Sequence, residues 1–105
     1  MAWINLTVAG ILEIAWAISL KYTEGFTRVW PSLCTAVGML ASFYFLAQAL
    51  KVIPVGTGYA VWTGIGAAGT AILGVILFGE SAAPGRIVCI GLIVAGIIGL
   101  KLTST

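Results

Sequence analysis

Trp3-Ile4-Asn5-Leu6-Thr7-Val8-Ala9-Gly10-Ile11-Leu12-Glu13-Ile14-Ala15-Trp16-Ala17-Ile18-Ser19-Leu20 is an apolar run of membrane-spanning length with one carboxylate near its middle. About 20 such residues cross a bilayer core as a helix, so Glu13 is expected close to the midplane, with no cation in its own segment. A charge at that depth costs about 2.5–3.5 kcal/mol on insertion scales, and such residues usually face a cavity or a partner along an ion or proton path. The plainer possibility is a protonated Glu that serves as a packing hydrogen bond.

The rest of the composition agrees with a membrane setting. Of 105 residues, 61% are hydrophobic and only 8% charged, and the mean hydropathy is +1.17. Soluble domains carry about 25% charged residues. The chain has no His and no Asp, which removes most enzyme and metal-site constellations, so neither a metal nor a cofactor is expected. A net charge of +2 is too small to suggest nucleic acid. Cys34 and Cys89 lie in separate apolar runs and read as small packed side chains. No basic region precedes the first run, which is long for a signal peptide, so it is expected to be retained, with no soluble domain following.

Charges and turn residues divide the chain into four apolar segments within a single domain, 1–105, with helices expected at about 3–21, 29–50, 57–79 and 85–102. Lys21, Glu24, Gly25 and Arg28 mark the first turn, Lys51 and Pro54-Val55-Gly56 the second, and Glu80 to Arg86 with Pro84-Gly85 the third. Glu24 and Glu80 read as solvated loop charges. The fourth segment, Ile87–Leu100, has only 14 uncharged residues, but Arg86 and Lys101 can snorkel outward from its ends. Short turns make sequence neighbours antiparallel neighbours in space. Both termini and Lys51 then share one side with Lys101, while Lys21, Arg28 and Arg86 share the other. The positive-inside rule orients a chain by its Lys/Arg excess. Here the excess is nearly balanced, which leaves open either a slight preference for the outer loops in the cytoplasm or insertion both ways.

Helix faces indicate where contacts fall. Ala9, Glu13 and Ala17 share a stripe, flanked by Gly10 and Trp16; Ala60, Gly64 and Ala68 form another, and Gly91, Ala95 and Gly99 a third. Small residues at this spacing let membrane helices approach closely. Gly64 and Gly66, with Gly69 nearby, read equally as close packing or as a bendable point. Trp3 and Trp30 stand near helix ends, where an aromatic belt belongs. Trp16 and Trp62 stand inside helices and need an acceptor for the indole N–H, for which Glu13 is the expected partner. Ser42, mid-way along the second helix, either bonds back to its own helix or joins Glu13, Trp16, Tyr59 and Trp62 in a polar, aromatic site at membrane depth.

A buried carboxylate is neutralised either by a proton or by a cation. If both compete for the same carboxylates, downhill proton flow drives uphill cation export. Indole and phenol faces attract cations, and a planar guanidinium matches carboxylates with two-pronged hydrogen bonds. A chain this short, with one carboxylate per copy at membrane depth, is too small to enclose a pathway alone, so a homo-oligomer is expected.

The stretches Glu13-Ile14-Ala15-Trp16-Ala17-Ile18-Ser19-Leu20-Lys21-Tyr22, Gly25-Phe26-Thr27-Arg28, Pro54-Val55-Gly56-Thr57-Gly58-Tyr59-Ala60-Val61-Trp62-Thr63-Gly64-Ile65-Gly66-Ala67 and Gly96-Ile97-Ile98-Gly99-Leu100-Lys101 resemble the small multidrug resistance family of four-helix transporters, over the whole chain. The Trp-Thr-Gly-Ile-Gly run and the Leu-Lys-Tyr after the first helix resemble its guanidinium-exporting subtype. The resemblance implies an all-α integral membrane fold with four transmembrane helices per chain. It implies an antiparallel, dual-topology homodimer in the inner membrane that exchanges guanidinium for protons by alternating access. The family's central glutamate falls on Glu13, its cavity partners on Trp16, Ser42, Tyr59 and Trp62, and its third-helix bend on Gly64–Gly66. The fourth helix supplies dimer packing. There Gly96 fits the family's glycine spacing and Cys89 replaces the other glycine; Gly58 replaces an expected Ala. The same machine with wider substrates, such as quaternary ammonium or substituted guanidinium cations, is the nearest alternative, and a membrane scaffold or subunit is a more distant one.

Overall fold

A computed structural model describes residues 1–103, so the last two residues of the expected domain lie outside the described residues. Four helices follow one another: α1 (Ala2–Tyr22), α2 (Val29–Ala49), α3 (Val55–Phe78) and α4 (Pro84–Thr103). All four are long and apolar enough to cross a membrane. A helix of 21 residues is about 31 Å long at 1.5 Å per residue, close to the thickness of the hydrocarbon core.

The helix ends follow local chemistry. Pro54 is the N-cap of α3, with φ −54° and ψ 142°. Its carbonyl accepts the Gly58 N–H at 2.8 Å, so α3 starts at Val55, two residues earlier than the Pro-Val-Gly signal suggests. At the far end Gly79 takes a left-handed φ of 65°, and the Glu80 N–H returns to the Gly74 carbonyl at 3.3 Å, closing the helix as glycine does in this position. α4 opens on Pro84, whose missing N–H is harmless in a first turn. It runs through Lys101 to Thr103, so the span is 20 residues long, longer than its uncharged core. Its two cations sit near its ends: Arg86 turns back to Glu80, and the Lys101 ammonium lies over the Trp3 ring, 5.7 Å from its centre.

α1 packs most extensively on α2 and next on α3; α4 packs chiefly on α3, and α2 meets α3 over a short stretch. The result is a slab of 43 × 34 × 17 Å. Glycines set the α1–α3 seam. Side-chain atoms of Ile65, Glu13 and Ile14 occupy the places where a Cβ would stand on Gly10, Gly66 and Gly69. Gly38 of α2 receives Trp16 in the same way, and Gly64 receives Ile97 of α4. Gly64 and Gly66 thus serve close packing here, and α3 is continuous through them. Gly96, by contrast, packs against nothing in its own chain.

The apolar core lies at one end of the slab. Leu6 and Ala9 of α1, Leu46 and Ala49 of α2, Ile53, and Val61 and Trp62 of α3 form one buried cluster. The Gly69→Ala variant, whose new methyl overlaps Ile14, is expected to lose about 1–3 kcal/mol in a denaturing-detergent titration followed by circular dichroism. Gly56→Ala, which meets no atom within 4 Å, is expected to lose nothing.

Candidate functional site

The site is assembled from three helices at the inner edge of the apolar core. Ser42 of α2 is fully buried. Its hydroxyl donates to the Ala9 carbonyl of α1 at 2.7 Å and accepts the Trp62 indole N–H of α3 at 3.0 Å. One hydroxyl therefore ties α1, α2 and α3 together at a single level. Tyr59 lies against Trp62, with ring centres 5.3 Å apart, and Phe43 meets the same indole edge-on at 5.7 Å. Trp62 is buried, whereas Tyr59 and Phe43 are exposed on the protomer. These three rings form an aromatic wall whose outer part is open.

Glu13 stands one turn beyond Ala9 on the same stripe of α1. Its carboxyl group packs directly on Gly66, where a Cβ would overlap it. Gly66 is in turn one helical turn beyond Trp62 on α3, so the carboxylate and the Ser42–Trp62 pair occupy successive levels of one seam. Glu13 Oε1 is buried and has no hydrogen-bond partner among the described residues. The other two carboxylates, Glu24 and Glu80, lie in turns between helices.

This geometry corrects one expectation. Glu13 accepts neither indole N–H. The Trp62 N–H is taken by Ser42, because Trp62 lies one turn below Gly66 on α3, level with Ala9 rather than with Glu13. The Trp16 N–H is buried without a partner among the described residues, and the start of its side chain fills the space over Gly38, a residue of α2. The structure thus brings Ser42, Tyr59 and Trp62 together, sets Glu13 beside them through Gly66, and turns Trp16 toward the α1–α2 seam. Phe43, which sequence reading missed, completes the aromatic wall; its only signal was its place beside Ser42.

Glu80 is an exposed loop charge, as expected, and it also has a partner: its carboxylate accepts from the Arg86 guanidinium at 2.7 Å and packs on Gly74. Arg86 also donates to the Ala71 carbonyl at 3.4 Å, so the α3–α4 turn is held by a fork of charge-assisted bonds. Lys21, at the end of α1, sits 4.9 Å from the centre of the Phe78 ring. At the same end of the slab Ser19 and Thr35 hydroxyls, 3.0 Å apart, converge on the Pro31 carbonyl.

Among the described residues no group of His, Cys, Asp or Glu could hold a metal ion. The chemistry available is that of a half-buried carboxylate with one unpartnered oxygen, one helical turn along the seam from the Ser42–Trp62 pair.

Four apolar spans with an intramembrane carboxylate define a small polytopic membrane protein of the transporter kind. A family model described as Small Multidrug Resistance protein matches residues 1–93, and the chain belongs to that family. It is 64% identical over 104 residues to a guanidinium exporter of Yersinia pseudotuberculosis, covering 99% of this chain and 100% of the relative. It is 60% identical over 104 residues to a guanidinium exporter of Citrobacter freundii, covering 99% of each, and 58% identical over the same length to one of Salmonella typhimurium. The protein is a multi-pass protein of the bacterial inner membrane.

Replacing Ser42 by Ala leaves the Trp62 indole N–H buried and unpaired. The variant is expected to lose about 1–2 kcal/mol of stability and to shift the emission of Trp62, measured in a background whose other tryptophans are Phe. An unchanged spectrum would separate Trp62 from Ser42.

Proposed function

We propose that this protein exports guanidinium ion in exchange for protons, working as an antiparallel homodimer in which Glu13 of each copy binds either ligand. The observation that carries the reading is the state of Glu13. It is the sole carboxylate within the helices of the described residues, and neither a cation nor a hydrogen-bond donor of its own chain occupies its buried oxygen. A carboxylate kept in the membrane interior without an internal partner is available to an external one. The relatives named as guanidinium exporters, at 58–64% identity over nearly the full length, support guanidinium as that partner.

The physical sequence is short. Burial disfavours the lone carboxylate in its charged form, so the empty site takes up a proton or a cation. Guanidinium presents planar N–H pairs that fit a carboxylate in two-pronged fashion. Trp62, fixed by Ser42, and Tyr59 beside it offer ring faces that favour a cation. A slab 17 Å thin cannot enclose such a ligand, and the exposed side of Tyr59 and Phe43 is where a second copy would close the cavity. Two inserted orientations, permitted by the balanced Lys/Arg distribution, would present the two copies head to tail. Proton and guanidinium then exclude each other, and switching the site between faces couples proton entry to cation exit. On this reading the protein is a transporter and performs no covalent chemistry.

In proteoliposomes under an imposed pH gradient, the wild type is expected to move guanidinium in preference to a quaternary ammonium ion. Glu13→Gln is expected to abolish that movement while cross-linked dimers still form. Coupled uptake by Glu13→Gln would overturn the role given to Glu13, and equal movement of both cations would widen the substrate class. Competition also fixes a sign: acidification fills the site with protons, so apparent guanidinium affinity falls as pH falls. The limit is about tenfold per pH unit for one proton displaced, read by titration calorimetry. Affinity independent of pH would remove the competition.

A further inference from the structure

The slab carries a cleft of about 360 Å³ between α1, α3 and the α3–α4 turn, at the end where α1 and α3 finish and α4 begins. Most of its lining is apolar: Ala17 and Ile18 come from α1, and Ala67, Ala71 and Phe78 from α3. Along α3 the wall runs from Ala67 to Phe78, which at 1.5 Å per residue is about 16 Å. The polar groups of the cleft are Lys21, Thr70, Glu80 and Arg86. Lys21 stands in the last turn of α1, and Arg86 near the start of α4, so both cations lie at one membrane surface.

Donors outnumber acceptors there. The one carboxylate, Glu80, is taken by Arg86 Nη2 at 2.7 Å. The same nitrogen donates to the Ala71 carbonyl at 3.4 Å, so the guanidinium reaches inward to the level of Thr70. Arg86 Nε and Thr70 Oγ1 are both buried and have no hydrogen-bond partner among the described residues. The isolation of Thr70 is specific to it. Thr7, Ser32, Thr35 and Thr103 each bond back to the carbonyl four residues earlier at 2.6–2.9 Å, the common habit of helical hydroxyls. Lys21 has no carboxylate within ion-pair distance among the described residues, and its ammonium rests 4.9 Å from the centre of the Phe78 ring. With two cations and one anion, the cleft has a net charge of +1. Buried polar groups left without a protein partner call for a water or an ion, and the charge here favours an anion.

We infer that this cleft binds one molecule of an anionic phospholipid, its phosphate among Lys21, Thr70 and Arg86 and one acyl chain along the apolar wall. Two features together select that occupant. Phosphate oxygens accept from all three donors, and basic pockets between membrane helices attract anionic headgroups. A soluble anion would leave the apolar wall uncovered, whereas a hydrocarbon chain covers it. A zwitterionic phospholipid brings the same phosphate together with a cation, which the positive cleft disfavours. A second copy of this chain is the competing occupant. On the antiparallel reading above, its own Glu24 and Glu80 lie at the opposite membrane face and supply no acceptor here. The inference does not depend on which cation the protein moves.

Native mass spectrometry of the detergent-solubilised protein reads bound lipid and oligomer together. Titrated with dioleoylphosphatidylglycerol, the wild type is expected to retain one lipid per protomer. It is expected to hold that lipid about fivefold more tightly than dioleoylphosphatidylcholine, the effect of one charge at a membrane surface. Lys21→Gln is expected to weaken phosphatidylglycerol binding about fivefold. Glu80→Gln raises the net charge of the cleft from +1 to +2 and is expected to strengthen binding by a similar factor, a gain that damage to the fold would not mimic. Ala67→Leu, at an exposed position, obstructs the chain and is expected to remove both lipids. Glycerol phosphate, a headgroup without a chain, is expected not to displace the bound lipid. Equal retention of the two lipids by the wild type, or shifts of the same sign in Lys21→Gln and Glu80→Gln, would overturn the inference. Displacement by glycerol phosphate would also overturn it, making the ligand a soluble phosphate. So would loss of the dimer in Ala67→Leu with lipid binding unchanged, which would assign the cleft to a second copy.

Discussion

A carboxylate resting on the backbone of a neighbouring helix inside a bilayer is the constraint around which the protomer is arranged. Glu13 fits there because Gly66 has no side chain; any Cβ at that position would stand inside the carboxyl group. The demand extends along the seam, where Gly10 and Gly69 admit Ile65 and Ile14 on either side. In lipid no hydrophobic force holds helices together, so association depends on close van der Waals fit and on hydrogen bonds. The seam supplies the first of these, and the Ser42 hydroxyl, bonded to both Ala9 and Trp62, supplies the second.

The two ends of the slab are consequently different. Toward the termini, seven side chains from α1, α2, α3 and the α2–α3 turn close into a dry cluster. Toward the α1–α2 turn, the buried side chains include Thr23 and Thr35, and a cleft lined mostly by apolar side chains carries Lys21, Glu80 and Arg86 along with Thr70. Glu13 stands at the boundary. It has the closed apolar cluster on one side and the cleft that carries the chain's turn charges on the other.

Much of this was legible in the chain. The four spans follow from the spacing of Lys21, Arg28, Lys51, Glu80, Arg86 and Lys101, since charges must reach the membrane surfaces. The depth of Glu13 follows from its place in an 18-residue run, and the need of the Trp62 indole for an acceptor from its place inside a helix. What could not be read was which acceptor. Glu13 and Ser42 differ by one helical level relative to Trp62, and that offset depends on how far α1 slides along α3, which the Gly66 contact decides. The Glu80–Arg86 pair was hidden for a related reason: two opposite charges six residues apart in a loop bond only if the turn folds back, and the left-handed Gly79 is what folds it. Phe43 carried no pattern of its own, because one aromatic among many in an apolar helix is uninformative until its neighbour is known.

The glycine seam also has a mechanical consequence. Side chains that interdigitate can slide and change rotamer, but a helix seated on another's backbone has no such slack. α1 and α3, locked at three successive levels, therefore behave as one stiff plate with Glu13 embedded in it. The other seams are of a different kind: α2 is fixed broadly to α1 but meets α3 over a short stretch, and α4 packs chiefly on α3. Glu13 is thus held on the stiffest seam that α1 makes with α3.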